Sequence, residues 1–533
     1  MGRMIPSRVH KVGLRVTLLL VLLATFALRL HALTRQDIWW DEARNLDVAL
    51  RPLRQIATAP ELDIQPPFYF WLLHGWSRLA GVSTSNDPAL LAFVVRFLSV
   101  SAGLVGTRLL LPLGRLAVSR LAGFYAVVLG GLSPFWLAES QETRMYTLGF
   151  ALLTGAAVGL LREIGKQRLV TDEVTYPITN RHSLLSKQHN LLLFVILSTL
   201  ALLTHYNALF ILIAWYGWWG GWTLWQADRR RQMRRVLLCG LATALLIAPL
   251  APIALRQIPT YANPNLTVPT LRAYLWQNWQ AYLGGYAFDP ALLNGNGLTW
   301  LWISLGLLIT GLALAMVHQV QPGESGSEPY PVFRIPYPIF LLVWLCGGLA
   351  LYYIAVLDRG AFNVRYSSFV TPALYVSMGM ACTGWGRLWR PLGMIGLVVV
   401  SIGMLPALRA DLYDERFARE DITGVRSWLR QTAGADDLIL VDQKYPFGFY
   451  YQRYAVDPST TPQGLEAAPA RYLFVDINTL DQQLNAWAGS AQRIFWVQWF
   501  ESDTDPRHAV RFLLNKAGHY AGTQGFHGYS VEW

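Results

Sequence analysis

The chain has 533 residues, of which 53% are apolar and only 14% charged, with a formal net charge of +11. At that length several soluble domains would fit, but the composition excludes them and predicts a polytopic membrane protein. The positive balance suggests a nucleic-acid partner only until the charges are assigned to the two sides of a membrane, so no nucleic acid is predicted.

The first apolar run, 14–33, follows a basic start at Arg3, Arg8, Lys11 and Arg15. It is longer than a signal-peptide core and further runs follow it, so it is expected to stay as an uncleaved anchor. Next comes Trp39-Trp40-Asp41-Glu42. Adjacent indoles favour the headgroup level of a bilayer, and carboxylates at that depth ionise at greater cost. From this segment alone, Asp41 and Glu42 read either as a helix cap or as a general base.

A long outer segment, 34–88, contains Gln65-Pro66-Pro67-Phe68-Tyr69 and the aromatic run up to Trp76. Proline suits a helix start, and the run is too short to span, so an interfacial helix is predicted. His74 is its one member considered for substrate contact. Further apolar runs occupy 90–111, 121–137, 145–161, 190–204, 209–225, 236–255, 298–317, 339–357, 369–384 and 392–408. With the first, this predicts about eleven transmembrane helices. Arg96, inside the second, should form a structural ion pair. Cys239, Cys346 and Cys382 fall in spans and read as packing residues.

The connections that include 108–120, 162–187, 229–235, Arg334 and Arg387/Arg390, together with the N-terminus, hold about 20 basic residues against about 6 acids, as the inner side should. The N-terminus is therefore expected inside and the tail outside. Segment 162–190 reads as a mobile cytoplasmic loop. Segment 256–296 reads as an outer loop with short helices, and Asn265-Leu266-Thr267 within it fits a glycosylation pattern only weakly.

From about Arg409 the composition becomes that of a soluble domain. Runs at 437–441, 472–477 and 494–499 read as strands, and 425–432, 480–487 and 509–514 as helices. This predicts a small extracytoplasmic α/β domain. The domains are then 1–408, transmembrane, and 409–533, soluble.

On the outer side this topology places four polar groups at one depth: Asp41-Glu42, the turn Glu139-Ser140-Gln141-Glu142-Thr143-Arg144-Met145-Tyr146, the turn Thr204-His205-Tyr206-Asn207, and Asp358-Arg359 through Arg365-Tyr366. Individually, Arg359 reads as a snorkelling side chain, His205 as an interfacial histidine, and Tyr146, Tyr206 and Tyr366 as belt aromatics. Together they suit transfer of a group from a lipid-linked donor. Arg144 and Arg365 would hold the phosphate and stabilise it as it leaves. A carboxylate would take the proton of an incoming hydroxyl. One base and no covalent intermediate predicts inversion at the sugar carbon.

These motifs carry a resemblance. Trp40-Asp41-Glu42-Ala43, Gln65-Pro66-Pro67-Phe68-Tyr69 and Ser140-Gln141-Glu142-Thr143-Arg144-Met145-Tyr146 resemble the polytopic glycosyltransferases of the C-type fold, in the branch of the protein O-mannosyltransferases and the aminoarabinose transferase of lipid A. Thr204-His205-Tyr206 and Arg365-Tyr366 are similar to that group too, and the resemblance covers about residues 10–410. It implies a polyprenyl-phosphate sugar donor, Asp41 as catalytic base with Glu42 as its partner, and Arg144 and Arg365 near the donor phosphate. Glu142, Tyr146, His205, Tyr206 and Tyr366 complete the expected donor site. No metal ligand set is predicted; a divalent metal is compatible with the wider fold, but nothing indicates one.

The expected protein is thus a multi-pass plasma (inner) membrane glycosyltransferase that works on the outer face with a hydroxyl acceptor. The acceptor, whether lipid, glycan or protein, stays open. The rival reading is a lipid-linked-sugar transporter or flippase. Such a protein would carry ionisable residues near the midplane and inverted repeats; here nearly every carboxylate falls outside the predicted span centres and no two halves of the sequence are similar.

Overall fold

The computed structural model describes residues 8–62, 64–82, 87–172, 182–260, 266–291, 293–320, 336–359, 362–451, 471–475, 478–487, 489, 491–499, 505 and 507–533. Arg334, Asn265 of the glycosylation pattern, and 173–181 of the expected cytoplasmic loop lie outside them. The chain divides into two compact units. The first comprises Met1–His31, Arg54–Leu72 and Arg96–Phe417; the second comprises Ala32–Leu53, Leu73–Val95 and Ala418–Trp533. The segment that carries Asp41 and Glu42 therefore belongs to the same unit as the tail.

The first unit is helical. Among the described residues six helices are long and apolar enough to cross a membrane: Pro88–Ala117, Tyr146–Gly165, Arg229–Pro259, Gly297–Val317, Tyr337–Asp358 and Arg390–Tyr413. The pair Arg120–Leu132 and Pro134–Ser140, bent by 59°, would make a seventh. The expected run at 190–204 lies in the 23-residue helix His182–Thr204, whose stretch His189–Thr204 is apolar. The run at 209–225 forms the 17-residue helix Ala208–Leu224. The run at 369–384 starts in the 3-10 turn Ser368–Val370 and continues in Thr371–Leu388, which is rich in small and polar residues.

The bend at Pro134 has a chemical origin. Proline has no N–H to donate back to the carbonyl four residues earlier, so the helix cannot continue through it. The Arg29 guanidinium supplies donors instead, to the carbonyls of Gly130 (3.2 Å) and Gly131 (3.0 Å) and to Ser140 Oγ (3.1 Å). A buried charge in the last turn of an apolar helix is tolerated when it satisfies backbone groups in this way. Ser133 caps the second half by accepting from the Trp136 N–H. Close helix contact elsewhere relies on small residues: a Cβ at Gly379 would collide with the Ala122 carbonyl. Arg96 is fully buried.

The second unit is built on a five-stranded sheet, ordered β2-β1-β3-β5-β4. β1 (Leu438–Val441) pairs in parallel with β2 (Arg471–Phe474) and β3 (Ile494–Gln498), with Leu438 opposite both Arg471 and Ile494. β4 (Thr523–Phe526) and β5 (Tyr529–Glu532) form an antiparallel hairpin whose β5 pairs with β3. Every residue of β1 is buried, as a strand covered on both faces should be. Leu438, Leu440, Leu473, Leu480, Leu484, Trp496 and Val510 form the core beneath the helices Leu480–Trp487 and Ala509–Ala517. The hairpin was not expected from the sequence, because its strands are short and β4 is mostly exposed.

In the same unit the early segment is fastened to the tail by polar contacts. Asp37 accepts from the Thr423 N–H (2.8 Å) and hydroxyl (2.7 Å), the Ile38 N–H donates to Tyr450 Oη (2.7 Å), and Tyr445 Oη donates to Asp47 (2.6 Å).

Candidate active site

In the first unit, the turn after Ser140 is set by its neighbours. Gln141 donates its amide to the carbonyls of Arg29 (3.1 Å) and His31 (2.7 Å), which meets acceptors left open at a helix C-terminus. The Arg144 N–H bonds back to the Glu142 carbonyl at 2.9 Å, and Ser99 Oγ donates to the Arg144 carbonyl at 3.2 Å. The turn is thereby held from both sides, and Glu139, Glu142 and Arg144 are all buried.

Arg365 is the hub of the group. Asn363 accepts its backbone N–H through the side-chain oxygen at 3.0 Å, a local turn that asparagine favours. Its guanidinium lies 3.3 Å from Glu139 and 3.2 Å from Glu142, and donates to Tyr286 Oη at 3.1 Å. Tyr286 in turn donates to Glu139 at 2.5 Å. Burial would lower the Arg365 pKa, but Glu142, Tyr286 and Glu139 together hold it well above its ordinary value. Arg365 is therefore a permanent cation. Burial, and then the Glu139 charge, push the Tyr286 phenol well above its ordinary value, so it stays a donor.

Tyr286 reaches this position through Gly285. The helix Leu271–Gly284 ends there at φ +70°, and a Cβ at that point would strike Pro134. Only glycine accepts both constraints without strain.

Next to this cluster, Arg144, Tyr146, His205 and Tyr366 form an aromatic layer. The Arg144 guanidinium stands 5.6 Å from the Tyr146 ring centre. The His205 ring lies 5.5 Å from Tyr146, 5.9 Å from Tyr366 and 5.4 Å from Phe369. Burial, and secondarily the Arg144 charge, push His205 down to about 3, so the ring is neutral near pH 7. Its Nδ1 accepts from the Asn207 N–H at 3.2 Å, which places the ring proton on Nε2. Asn207 also donates to the Tyr366 carbonyl at 3.0 Å, tying the two turns together.

Tyr206 faces a different set of partners. Its hydroxyl donates to Gln257 (2.7 Å), whose amide donates to the Gln65 carbonyl. The structure thus groups Glu142, Arg144, Tyr146, His205, Arg365 and Tyr366, and adds Glu139 and Tyr286, which the sequence reading had not selected. Glu139 stood in the expected turn. Tyr286 had no signal beyond the preceding Gly284-Gly285 pair.

In the second unit, Asp41 and Glu42 open the helix Trp40–Leu50, where an acidic side chain complements the helix dipole. Glu42 has no solvent exposure and forms an ion pair with Arg419 at 2.7 Å, the guanidinium standing 5.6 Å from the Trp39 ring centre. Asp41 keeps 18% side-chain exposure and lies 3.5 Å from Arg44, itself 4.8 Å from the Trp40 ring centre. Two adjacent carboxylates thus have different surroundings: one is enclosed, the other reachable. His74 is buried and its Nδ1 donates to the Ala49 carbonyl at 2.8 Å, which ties it to the helix of Asp41. Arg419 was not selected from the sequence, since nothing local marks it. Among the described residues no group of three or more His, Cys, Asp or Glu side chains is placed to hold a metal ion.

No family model matches the chain, and no curated protein is similar to it. Solved structures are. The chain is similar to ArnT from Cupriavidus metallidurans in the apo state, 12% identical over 98% of each chain with a TM-score of 0.60. It is similar to the same protein bound to undecaprenyl phosphate, 14% identical over 98% of each chain with a TM-score of 0.53. The archaeal oligosaccharyltransferase AglB from Archaeoglobus fulgidus, in complex with an inhibitory peptide and a dolichol-phosphate, is 12% identical over 99% of this chain and 75% of its own, with a TM-score of 0.50. At these identities the likeness is one of fold: the chain has the C-type fold of membrane glycosyltransferases.

Proposed function

We propose that the chain is an integral membrane glycosyltransferase that moves a sugar from a polyprenyl-phosphate donor to a hydroxyl acceptor, with inversion. The observation that carries this reading is the group of buried Arg144 and half-buried Arg365 beside Glu139, Glu142 and Tyr286. A pair of guanidiniums fixed by carboxylates and aromatic rings suits a phosphate and the charge that grows on it as it leaves. The undecaprenyl phosphate bound to ArnT and the dolichol-phosphate in complex with AglB support the same class of donor.

In the proposed reaction, Asp41 accepts the proton of the acceptor hydroxyl. The hydroxyl oxygen bonds the sugar carbon, the bond from that carbon to the phosphate oxygen breaks, and polyprenyl phosphate leaves with the electron pair. Glu42, held by Arg419, positions the segment that carries Asp41. Neutral His205 and the Tyr146 and Tyr366 rings line the donor side, with His205 Nε2–H as a donor. We place the protein in the plasma (inner) membrane, with about eleven spans, the N-terminus cytoplasmic and the tail outside, on the strength of its basic connections.

The test is to incubate membranes containing the protein with a panel of labelled polyprenyl-phosphate sugars. One label should move to a hydroxyl acceptor with release of polyprenyl phosphate. Movement of intact lipid-linked sugar across the bilayer, with no transfer, would instead support the transporter reading.

A further inference from the structure

The second unit contains a cleft of about 340 Å³ between the N-terminal side of β3, the end of β5 and the helix Ala509–Ala517. This is the lower end of the range for small-molecule sites. One wall is the Trp533 ring, fixed from behind by Trp428 and Phe495 at centre distances of 5.2 and 6.0 Å. Gly522 lets that indole lie against the backbone, because a Cβ there would meet the ring. Tyr520 stands at the rim, 61% exposed.

The polar wall is built from charge pairs. Arg511 bonds Glu532 at 2.9 Å and stands 5.4 Å from the Trp496 ring centre. Arg493 bonds Asp437 at 2.7 Å and stands 5.1 Å from the Phe495 ring centre. Each guanidinium has its own carboxylate, so the cleft offers a net-charged ligand little electrostatic gain. It offers instead planar donors and an acceptor side by side, next to an aromatic face. A sugar needs that combination: each hydroxyl both donates and accepts, and the C–H side of the ring packs on an aromatic surface.

We propose that this cleft binds a short neutral saccharide, with Arg511 and Glu532 bonding its hydroxyls and Trp533 and Tyr520 taking its apolar face. The inference does not rest on the transferase reading and uses none of the residues assigned to it.

The test is saturation-transfer NMR on the full chain in detergent, with neutral trisaccharides of mannose, glucose and galactose and with trigalacturonate as the charged comparison. Two variants accompany the wild type. Tyr520→Ala removes an exposed ring, and Gly518→Trp places bulk in the cleft from a position where a Cβ meets nothing within 4 Å. Saturation transfer to a neutral trisaccharide is expected in the wild type, weakened about tenfold or more in both variants while transferase activity persists. Absence of transfer to all three neutral sugars, transfer to trigalacturonate alone, or unchanged binding in both variants would overturn the assignment.

Discussion

Arg419 Nη1 lies 2.7 Å from Glu42 Oε2, across 377 residues of chain, and Glu42 has no exposure to solvent. The tail thus holds the acidic segment through a buried charge pair. Removing one partner of such a pair leaves the other buried and uncompensated, which costs about 3–5 kcal/mol. Arg419→Ala should therefore destabilise the detergent-solubilised protein by about that amount. The double variant Glu42→Gln/Arg419→Met should recover much of the loss. Thermal unfolding checks this, and equal losses in both would show that the pair is not responsible.

Arg365 is engaged by two carboxylates and a phenol at once, a geometry that needs a planar fork of donors rather than a point charge. Arg365→Lys should consequently rescue little. Arg365→Ala should raise the donor KM by about tenfold or more, in line with the loss of a charge-assisted bond, while the acceptor KM changes less. Donor saturation curves that coincide with the wild type would remove Arg365 from the phosphate site.

Arg29 supplies the donors that Pro134 cannot. Arg29→Met should leave the Gly130 and Gly131 carbonyls without them, at about 1–3 kcal/mol for each buried group. The measurement is stability in detergent, with transfer activity as a second readout because the same helix leads into the Glu139–Arg144 turn.

His205 gives a pH signature. Its pKa falls from 6.5 to about 3 on folding, so the unfolded chain binds this proton first as pH drops. The stability contributed by neutral His205 is complete above about pH 6.5 and is lost progressively as pH falls toward 3, by up to about 1.4 kcal/mol per pH unit. Between about pH 6.5 and 5 the wild type should lose stability relative to His205→Gln, since every other group titrates alike in both. Identical slopes would contradict the burial of a neutral ring.

Much of this was legible in the sequence because it depends on local pattern. The fold was readable from motifs at the ends of apolar runs, such as Ser140 to Tyr146 and Arg365-Tyr366. What joins those motifs was not. Tyr286 reaches Arg365 because Gly285 turns the chain, and Arg419 reaches Glu42 from the far end of the sequence. Neither pairing leaves a local trace. Short apolar runs are harder to read as spans: Ala208–Leu224 is strongly apolar but only 17 residues long, and Thr371–Leu388 is rich in small and polar residues. The β4–β5 hairpin leaves little trace because both strands are four residues long and β4 is mostly exposed, with β5 alone pairing to β3.

The central claim is that Asp41, the reachable member of the acidic pair, takes the acceptor's proton. It is tested most directly by measuring sugar transfer from the labelled donor in membranes containing Asp41→Asn, with folding checked by unfolding temperature. The account predicts a folded protein that still binds donor and transfers at least about a hundredfold more slowly, as expected when a general base is lost. A folded Asp41→Asn protein with full transfer activity would contradict it.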